Sequence, residues 1–460
     1  MTRELKQKKE INFTDGPVLG PLVKFMLPVL AAIIIQSLYS AADLMIVGQF
    51  GTAVNVSGVS VGGSLTTSIQ SFITSLAMGT TILLGQYIGE GRKKEAGNVI
   101  GTSIILFAAV AAAFMIALFI WAGAGLSLLQ TPEEAMDEGI IYVRICSLGM
   151  IFIVAYNVLG SIFRGIGDST TPLIAVSVAC VVNILGDLLL VGVFNMAAAG
   201  AAIATVFAQG VSVVISLIIA SKRGLPFEFG KSNIRFNKQL SIKVLKFGTP
   251  LALQSLVVSG SFLVLHGILN TLGLIASAGT GVAGRLVTFI MLFPDAAFQA
   301  LSAFVAHNVG ARKLYRAKKA MVYSIYMCLA FAVAMAALCF LDGTLLTGIF
   351  SNDPEVVEAA AEYLKAYAVD NFLCAFLFSF IGYFNGCGRT SLTLIQGFLG
   401  VAIRIPMAFL LKSVTDSLFV IGLATPISTF GQIILCGSYF FITNKALTAE
   451  FDTENTEITK

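Results

Sequence analysis

Three polar residues stand where the chain is otherwise apolar. Asp43 lies late in the run from Leu22 to Gly48, and Asn183 and Asp187 lie late in a run near 170–193. A carboxylate at the centre of a membrane helix costs roughly 2.5–3.5 kcal/mol on insertion scales, so such a residue points to a use. Asn183 precedes Asp187 by four positions, and on a helix both project from one face. Two acids, an amide and nearby hydroxyls can hold either a shared proton or a dehydrated Na+, since their oxygens are hard ligands.

The elements that position these residues follow from composition. The chain has 460 residues, 57% hydrophobic and 12% charged, with mean hydropathy +0.89. Ordinary globular chains are about 45–50% apolar and about 25% charged. The 29 Lys+Arg and 25 Asp+Glu are too few to solvate a protein of this size, so lipid must cover much of it. The same figures exclude a disordered chain or a secreted disulfide scaffold. A net charge of +4 on dispersed bases argues against nucleic-acid binding. Cys146, Cys180, Cys328, Cys339, Cys374 and Cys436 sit in apolar runs and Cys387 follows one, the pattern of apolar filler rather than of metal or redox sites.

Apolar runs long enough to span a bilayer recur near 22–48, 58–86, 97–121, 139–163, 170–193, 198–220, 247–270, 277–306, 317–341, 362–384, 391–411 and 416–443, giving twelve helices. The first would be roughly 40 Å long, too long for a leader peptide and suited to a tilted span. Alternating ten-residue strands of a membrane barrel are absent. The expected fold is an all-α integral membrane protein. Its parts are a tail over 1–20, a six-helix lobe over 21–221, a linker over 222–246, a second six-helix lobe over 247–443 and a tail over 444–460.

Loop charge predicts orientation. Bases cluster at Arg92, Lys93 and Lys94, through Lys222 to Lys243, and from Arg312 to Lys319, whereas 131–138 and 341–362 carry acids and no base. Both termini are therefore expected in the cytoplasm of a cell-membrane protein, with Arg3, Lys6, Lys8 and Lys9 on the N-terminal tail.

The two halves repeat. Pro28 and Pro250 are 222 positions apart, as are Thr131-Pro132-Glu133 and Asp353-Pro354-Glu355. Tyr142 matches Tyr363, and Phe163-Arg164-Gly165-Ile166-Gly167 matches Phe384-Asn385-Gly386-Cys387-Gly388, at 221. Gly89 before Arg92 matches Gly310 before Arg312. Collinear matches at a nearly constant offset argue for a duplicated bundle, and an even helix number makes the repeat parallel.

The residues now reached resemble a known family. Span 1 reads Pro28 … Gln36-Ser37-Leu38-Tyr39-Ser40-Ala41-Ala42-Asp43 … Gly48. The span 4–5 turn reads Phe163-Arg164-Gly165-Ile166-Gly167-Asp168 … Pro172, span 5 ends Asn183 … Asp187, and span 6 opens Ala198-Ala199-Gly200 … Thr205. In order and spacing, from about residue 15 to 445, this resembles the multidrug and toxic compound extrusion (MATE) transporters. The resemblance implies two pseudo-symmetric lobes around a V-shaped cavity, and export of small organic, often cationic, compounds in exchange for H+ or Na+. It implies a monomer in membrane lipid with no cofactor beyond the coupling ion. It also implies a first-lobe ion site of Asp43, Tyr142, Asn157, Asn183, Asp187 and Thr205, with Na+ if bound at Asp43, Asp187 and Asn183. One branch of the family instead uses second-lobe acids, which would fall at Val258 and Cys374; both are missing, and Asp370 lies one turn before Cys374.

A second-lobe polar set remains open: His266, Asp295, Asp370 and Arg404. Arg404 is the repeat equivalent of Asn183 and can pair with Asp370 or Asp295, or meet an anionic substrate. Arg285 carries the same ambiguity. His266 and His307 read first as structural histidines, although a buried His can titrate. Gly165-Ile166-Gly167 and Gly89-Glu90-Gly91 lack the following Lys-Ser/Thr of a phosphate loop, so the sequence gives no support for ATP hydrolysis and an ion gradient is the expected energy source. The competing function is a flippase for lipid-linked or polysaccharide precursors. Against it stand twelve spans and only two clear mid-membrane bases, Arg285 and Arg404. No motif of a membrane-embedded enzyme appears, and duplicated lobes count against a channel.

Overall fold

The protein is described by a computed structural model covering residues 12–227 and 229–458, with side chains as far as Thr443. The tail bases Arg3, Lys6, Lys8 and Lys9, and the tail readings at 1–11 and 459–460, lie outside the described residues. Among those residues there is no strand. The helices are α1 (Leu19–Phe50), α2 (Ala53–Gly89), α3 (Lys93–Leu128), α4 (Glu133–Leu148), α5 (Met150–Ile166), α6 (Thr170–Asp187), α7 (Ala197–Arg223), α8 (Lys238–Asn270), α9 (Leu274–Gly310), α10 (Leu314–Thr347), α11 (Pro354–Gly386), α12 (Thr390–Val414), α13 (Leu418–Gly422) and α14 (Ala424–Ile458). Backbone polar groups have no water partner in hydrocarbon, so long apolar runs close their hydrogen bonds within helices. Eleven described spans are long and apolar enough to cross a membrane, and α4 with α5 forms a twelfth bent by 57°.

That bend lies inside the span expected over 139–163. It falls at Gly149, whose backbone leaves the helical region at φ −80° and ψ 1°. A Cβ there would meet Val206 of α7 at 2.3 Å, so only glycine lets α7 pass this close. The linker is also shorter than expected. Asn237 accepts from the Leu240 amide at 3.1 Å and caps α8, which starts nine residues before the expected span at 247. The preceding segment packs back on α3: Thr102 Oγ1 donates to the Arg235 carbonyl at 3.2 Å, and Asn233 bonds Asn98 at 3.0 Å.

The chain forms two compact units, one mainly of residues 27–252, the other of 13–26 with 253 onward. The division falls inside α1 and α8, beside the repeat-related Pro28 and Pro250. In the first unit α2, α3 and α5 enclose a core that includes Ile73, Leu84, Val99, Phe107, Met150 and Ile153. The second centres on Leu265, Leu269, Tyr363, Tyr367 and Ile421. In this unit Arg316 grips the carbonyls of Phe13, Asp15 and Gly16, while Lys313 pairs with Asp15 at 2.7 Å. His307 packs edge-on to Phe13 with ring centroids 5.0 Å apart. This is a structural environment.

The repeated turns have a shared backbone cause. Gly167 and Gly388 both take the left-handed conformation, at φ 94° and 73°, and end α5 and α11. Asp168 then accepts from the amides of Thr170 and Thr171 at 2.9 and 3.0 Å and lies 3.7 Å from Arg223.

A close crossing of long helices in the first unit joins α2 to the first half of α8. A Cβ on Gly248 would lie 2.1 Å from the Leu76 carbonyl oxygen, and one on Gly79 2.2 Å from that of Val244. Backbone cannot yield as a side chain does, so Gly248→Ala is expected to destabilise the protein by about 1–3 kcal/mol. Gly260→Ala, with nothing within 4 Å, is expected to be neutral or stabilising. Thermal unfolding of the two variants in detergent checks the contrast.

Candidate functional site

The first unit gathers its polar residues near one end of α1 and α6. Asp43 lies seven residues before the end of α1 at Phe50. Asp187 closes α6 and is followed by a π-helical turn, Leu188–Val193. A π turn carries an extra residue and re-aims the side chains around it. Close approach of α6 and α7 is allowed by small residues: a Cβ on Gly186 would meet Ala204 at 3.0 Å, and one on Gly200 would meet the Leu190 backbone at 3.1 Å. The result brings Asn183 Nδ2 to Thr205 Oγ1, at 3.5 Å.

Asp43 and Asp187 face one another at hydrogen-bonding range. Asp187 and Asn183 are fully buried and Asp43 is 7% exposed. Both oxygens of Asp187, Oδ1 of Asp43 and Oδ1 of Asn183 have no hydrogen-bond donor. Four buried acceptors without donors form an unusually electron-rich site, because most buried polar atoms in proteins are paired. Two carboxyl groups in contact can share one proton, and their oxygens, with the amide carbonyl, can also ligate a monovalent cation.

Tyr142 lies beside this pair. Its ring packs on Gly62 of α2, where a Cβ would come within 3.1 Å, and its hydroxyl reaches Thr205. Asn157 is engaged differently: it accepts from Thr74 Oγ1 at 2.6 Å and donates to the Ile153 carbonyl at 2.8 Å, tying α5 to α2. Tyr39, Cys146 and Gln209 also border the site, with Gln209 donating to the Tyr39 hydroxyl at 3.4 Å. Sequence reading did not single these out as site residues. Helical spacing was the available signal, since Tyr39 precedes Asp43 by four and Gln209 follows Thr205 by four.

In the second unit Asp370 and Arg404 are both buried, and each residue of the expected set has its own separate surroundings. Arg404 Nη1 donates to Ser261 Oγ at 2.7 Å, and Asp370 accepts from Cys374 Sγ at 3.4 Å. Asp295 accepts from Gln299 one turn along α9 at 3.0 Å. His266 lies against Gly284 of α9, 3.6 Å from where a Cβ would stand. Arg285 is exposed on α9.

A repeated polytopic bundle with intramembrane acids defines a membrane transporter. The MatE family model matches the chain twice, over residues 28–189 and 250–410. The chain therefore belongs to the MATE family of transporters. It is 28% identical over 392 residues to the probable multidrug resistance protein YpnP of Bacillus subtilis, covering 84% of this chain and 86% of that one. It is 23% identical over 415 residues to the multidrug export protein MepA of Staphylococcus aureus, covering 89% and 90%. A crystal structure of a MATE protein in the bent conformation superposes with a TM-score of 0.91 over 97% of this chain and all of that one, at 20% identity. A transporter of the MOP superfamily from Pyrococcus furiosus superposes at 0.89 over 96% of this chain and 99% of that one, at 22% identity. These likenesses show the fold.

The hydrogen bonds of Asn157 lead to a specific expectation. Thr74→Val leaves the Asn157 amide oxygen buried without a donor and should cost about 1–3 kcal/mol. Adding Asn157→Leu removes the orphaned acceptor and should recover part of that loss. Unfolding midpoints of the single and double variants measure the coupling.

Proposed function

We propose that the protein exports amphipathic, often cationic, small organic compounds across the cell membrane in exchange for H+ or Na+, by alternating access. The observation that carries this reading is the pair Asp43–Asp187, whose buried oxygens lack donors beside Asn183, Thr205 and Tyr142. The similarity to the probable multidrug resistance protein YpnP and the multidrug export protein MepA supports small organic compounds as the substrate class. In this reading the pair carries the ion on the return stroke, and one charge moved through the membrane potential supplies about 2.3 kcal/mol per 100 mV. Asn183 and Thr205 set the amide and hydroxyl beside the acids. The working unit is a single chain with no resident cofactor.

Asp43→Asn removes one ionisable group with little change of shape. Ethidium efflux into proteoliposomes driven by imposed pH or Na+ gradients should fall to the level of protein-free vesicles. Asp370→Asn should retain gradient-driven transport. Full transport by Asp43→Asn, with loss in Asp370→Asn, would place coupling in the second unit. A parent protein that is present in the membrane yet moves none of several unrelated dyes would instead support a lipid-linked precursor as substrate.

The same reading puts the basic loops and both termini in the cytoplasm, and the acidic loop before α4 outside. A cysteine introduced at Glu134 should be labelled in intact cells by a membrane-impermeant thiol reagent. The parent protein sets the background, since its seven free cysteines are buried or half-buried. Labelling that requires broken cells would reverse the orientation.

A further inference from the structure

The chain between α7 and α8 is strongly basic and leaves large apolar side chains exposed. From 222 to 246 it holds seven bases against one acid. Its middle part interleaves the two kinds of residue: Ile234 is 42% exposed and Phe236 62% exposed, set among Lys231, Arg235 and Lys238. Those three bases are exposed as well, and among the described residues none of their side chains has a hydrogen-bond or ion-pair partner.

The segment is seated at a definite depth. Phe227 and Phe229 pack against the core of the first unit. Asn233 donates from Nδ2 to Asn98 of α3 and accepts at Oδ1 from the Gly230 amide, both at 3.0 Å. Thr102 of α3 donates to the Arg235 carbonyl. Gly101 lies between these two contacts, where any Cβ would clash with the Asn233 carbonyl oxygen. The α3 positions used are those at which the charged first turn, Lys93 to Glu95, gives way to the apolar run that begins near 97. A spanning helix makes that change at the boundary between lipid headgroups and acyl chains, where aromatic side chains and bases both find partners.

A loop surrounded by water gains nothing from an exposed phenylalanine and isoleucine set between its bases. At a bilayer surface both are used: apolar side chains enter the acyl boundary, and lysine and arginine reach phosphate oxygens. The α8 helix opens at Lys238 with no acid in its first turn, so the partial positive charge of its N-terminus adds to the field of the bases. We propose that residues 231–238 form an interfacial anchor for anionic phospholipid, with Lys231, Arg235 and Lys238 on the phosphates and Ile234 and Phe236 among the acyl chains. The anchor ties the chain between α7 and α8 to the bilayer as well as to α3. It depends neither on the coupling assignment above nor on which face of the membrane the loop occupies.

The test measures lipid retained by the purified full-length chain in detergent, by native mass spectrometry, with phosphatidylglycerol or phosphatidylcholine of the same acyl chains added at equal concentration. The parent is expected to retain phosphatidylglycerol in excess by about fivefold or more. Lys231→Gln with Arg235→Gln should remove most of that excess. Lys318→Gln with Lys319→Gln, an equal change of charge on α10, should leave it in place. The contacts to α3 run through the Asn233 side chain and the Arg235 carbonyl, so the first pair of substitutions keeps them. Phe236→Ser changes no charge and should still lower the phosphatidylglycerol retained. Equal retention of the two lipids by the parent, equal losses in the two paired variants, or unchanged retention in Phe236→Ser would each overturn the proposal. Unfolding midpoints give an independent arm. Phosphatidylglycerol should raise the midpoint of the parent above that in phosphatidylcholine, and Lys231→Gln with Arg235→Gln should lose the gain. A gain that survives those two substitutions would also overturn it.

Discussion

Two carboxyl groups confronting each other inside a helical bundle set the terms for the rest of the first half of this protein. In a low-dielectric interior such a pair is tolerable only with a compensating proton or metal ion. The neighbouring polar groups are turned largely to one another: Asn183 donates its amide to Thr205, the Tyr142 hydroxyl reaches Thr205, and the Tyr39 hydroxyl accepts from Gln209. What remains is a set of oxygens with spare lone pairs, which suits an ion that comes and goes.

Holding those oxygens together requires helices closer than ordinary side chains allow. Gly62, Gly186 and Gly200 stand where α2, α6 and α7 must pass near Tyr142, Ala204 and Leu190. Lipid tails are as apolar as leucine, so helix association in a bilayer depends on such close packing rather than on hydrophobic burial. The π turn after Asp187 and the glycine bend between α4 and α5 serve the same end. Both break helical regularity where the site needs residues aimed inward.

The two units share a backbone plan and differ in electrostatics. Left-handed glycines end corresponding helices, and prolines stand at corresponding places in the leading ones. Yet the second unit holds Arg404 where the first has an amide, with its acid displaced to Asp370. The repeat keeps the backbone plan, while the buried polar residues of the two units differ.

Much of this was legible in the chain itself. Apolar runs of spanning length determine the helices, because hydrocarbon forces backbone hydrogen bonds inward wherever the run occurs. The constant offset determines the duplication, and the isolated acids Asp43 and Asp187 stand out because their burial is costly. Nothing local encodes the bend at Gly149, which depends on Val206 more than fifty residues away. Nor could spacing show that Asn157 bonds Thr74 while Asn183 bonds Thr205, or that Arg404 settles on Ser261 and Phe262. Periodicity fixes which face of a helix a residue occupies, but its partner is decided by which other helix packs against that face, and only the folded chain settles that.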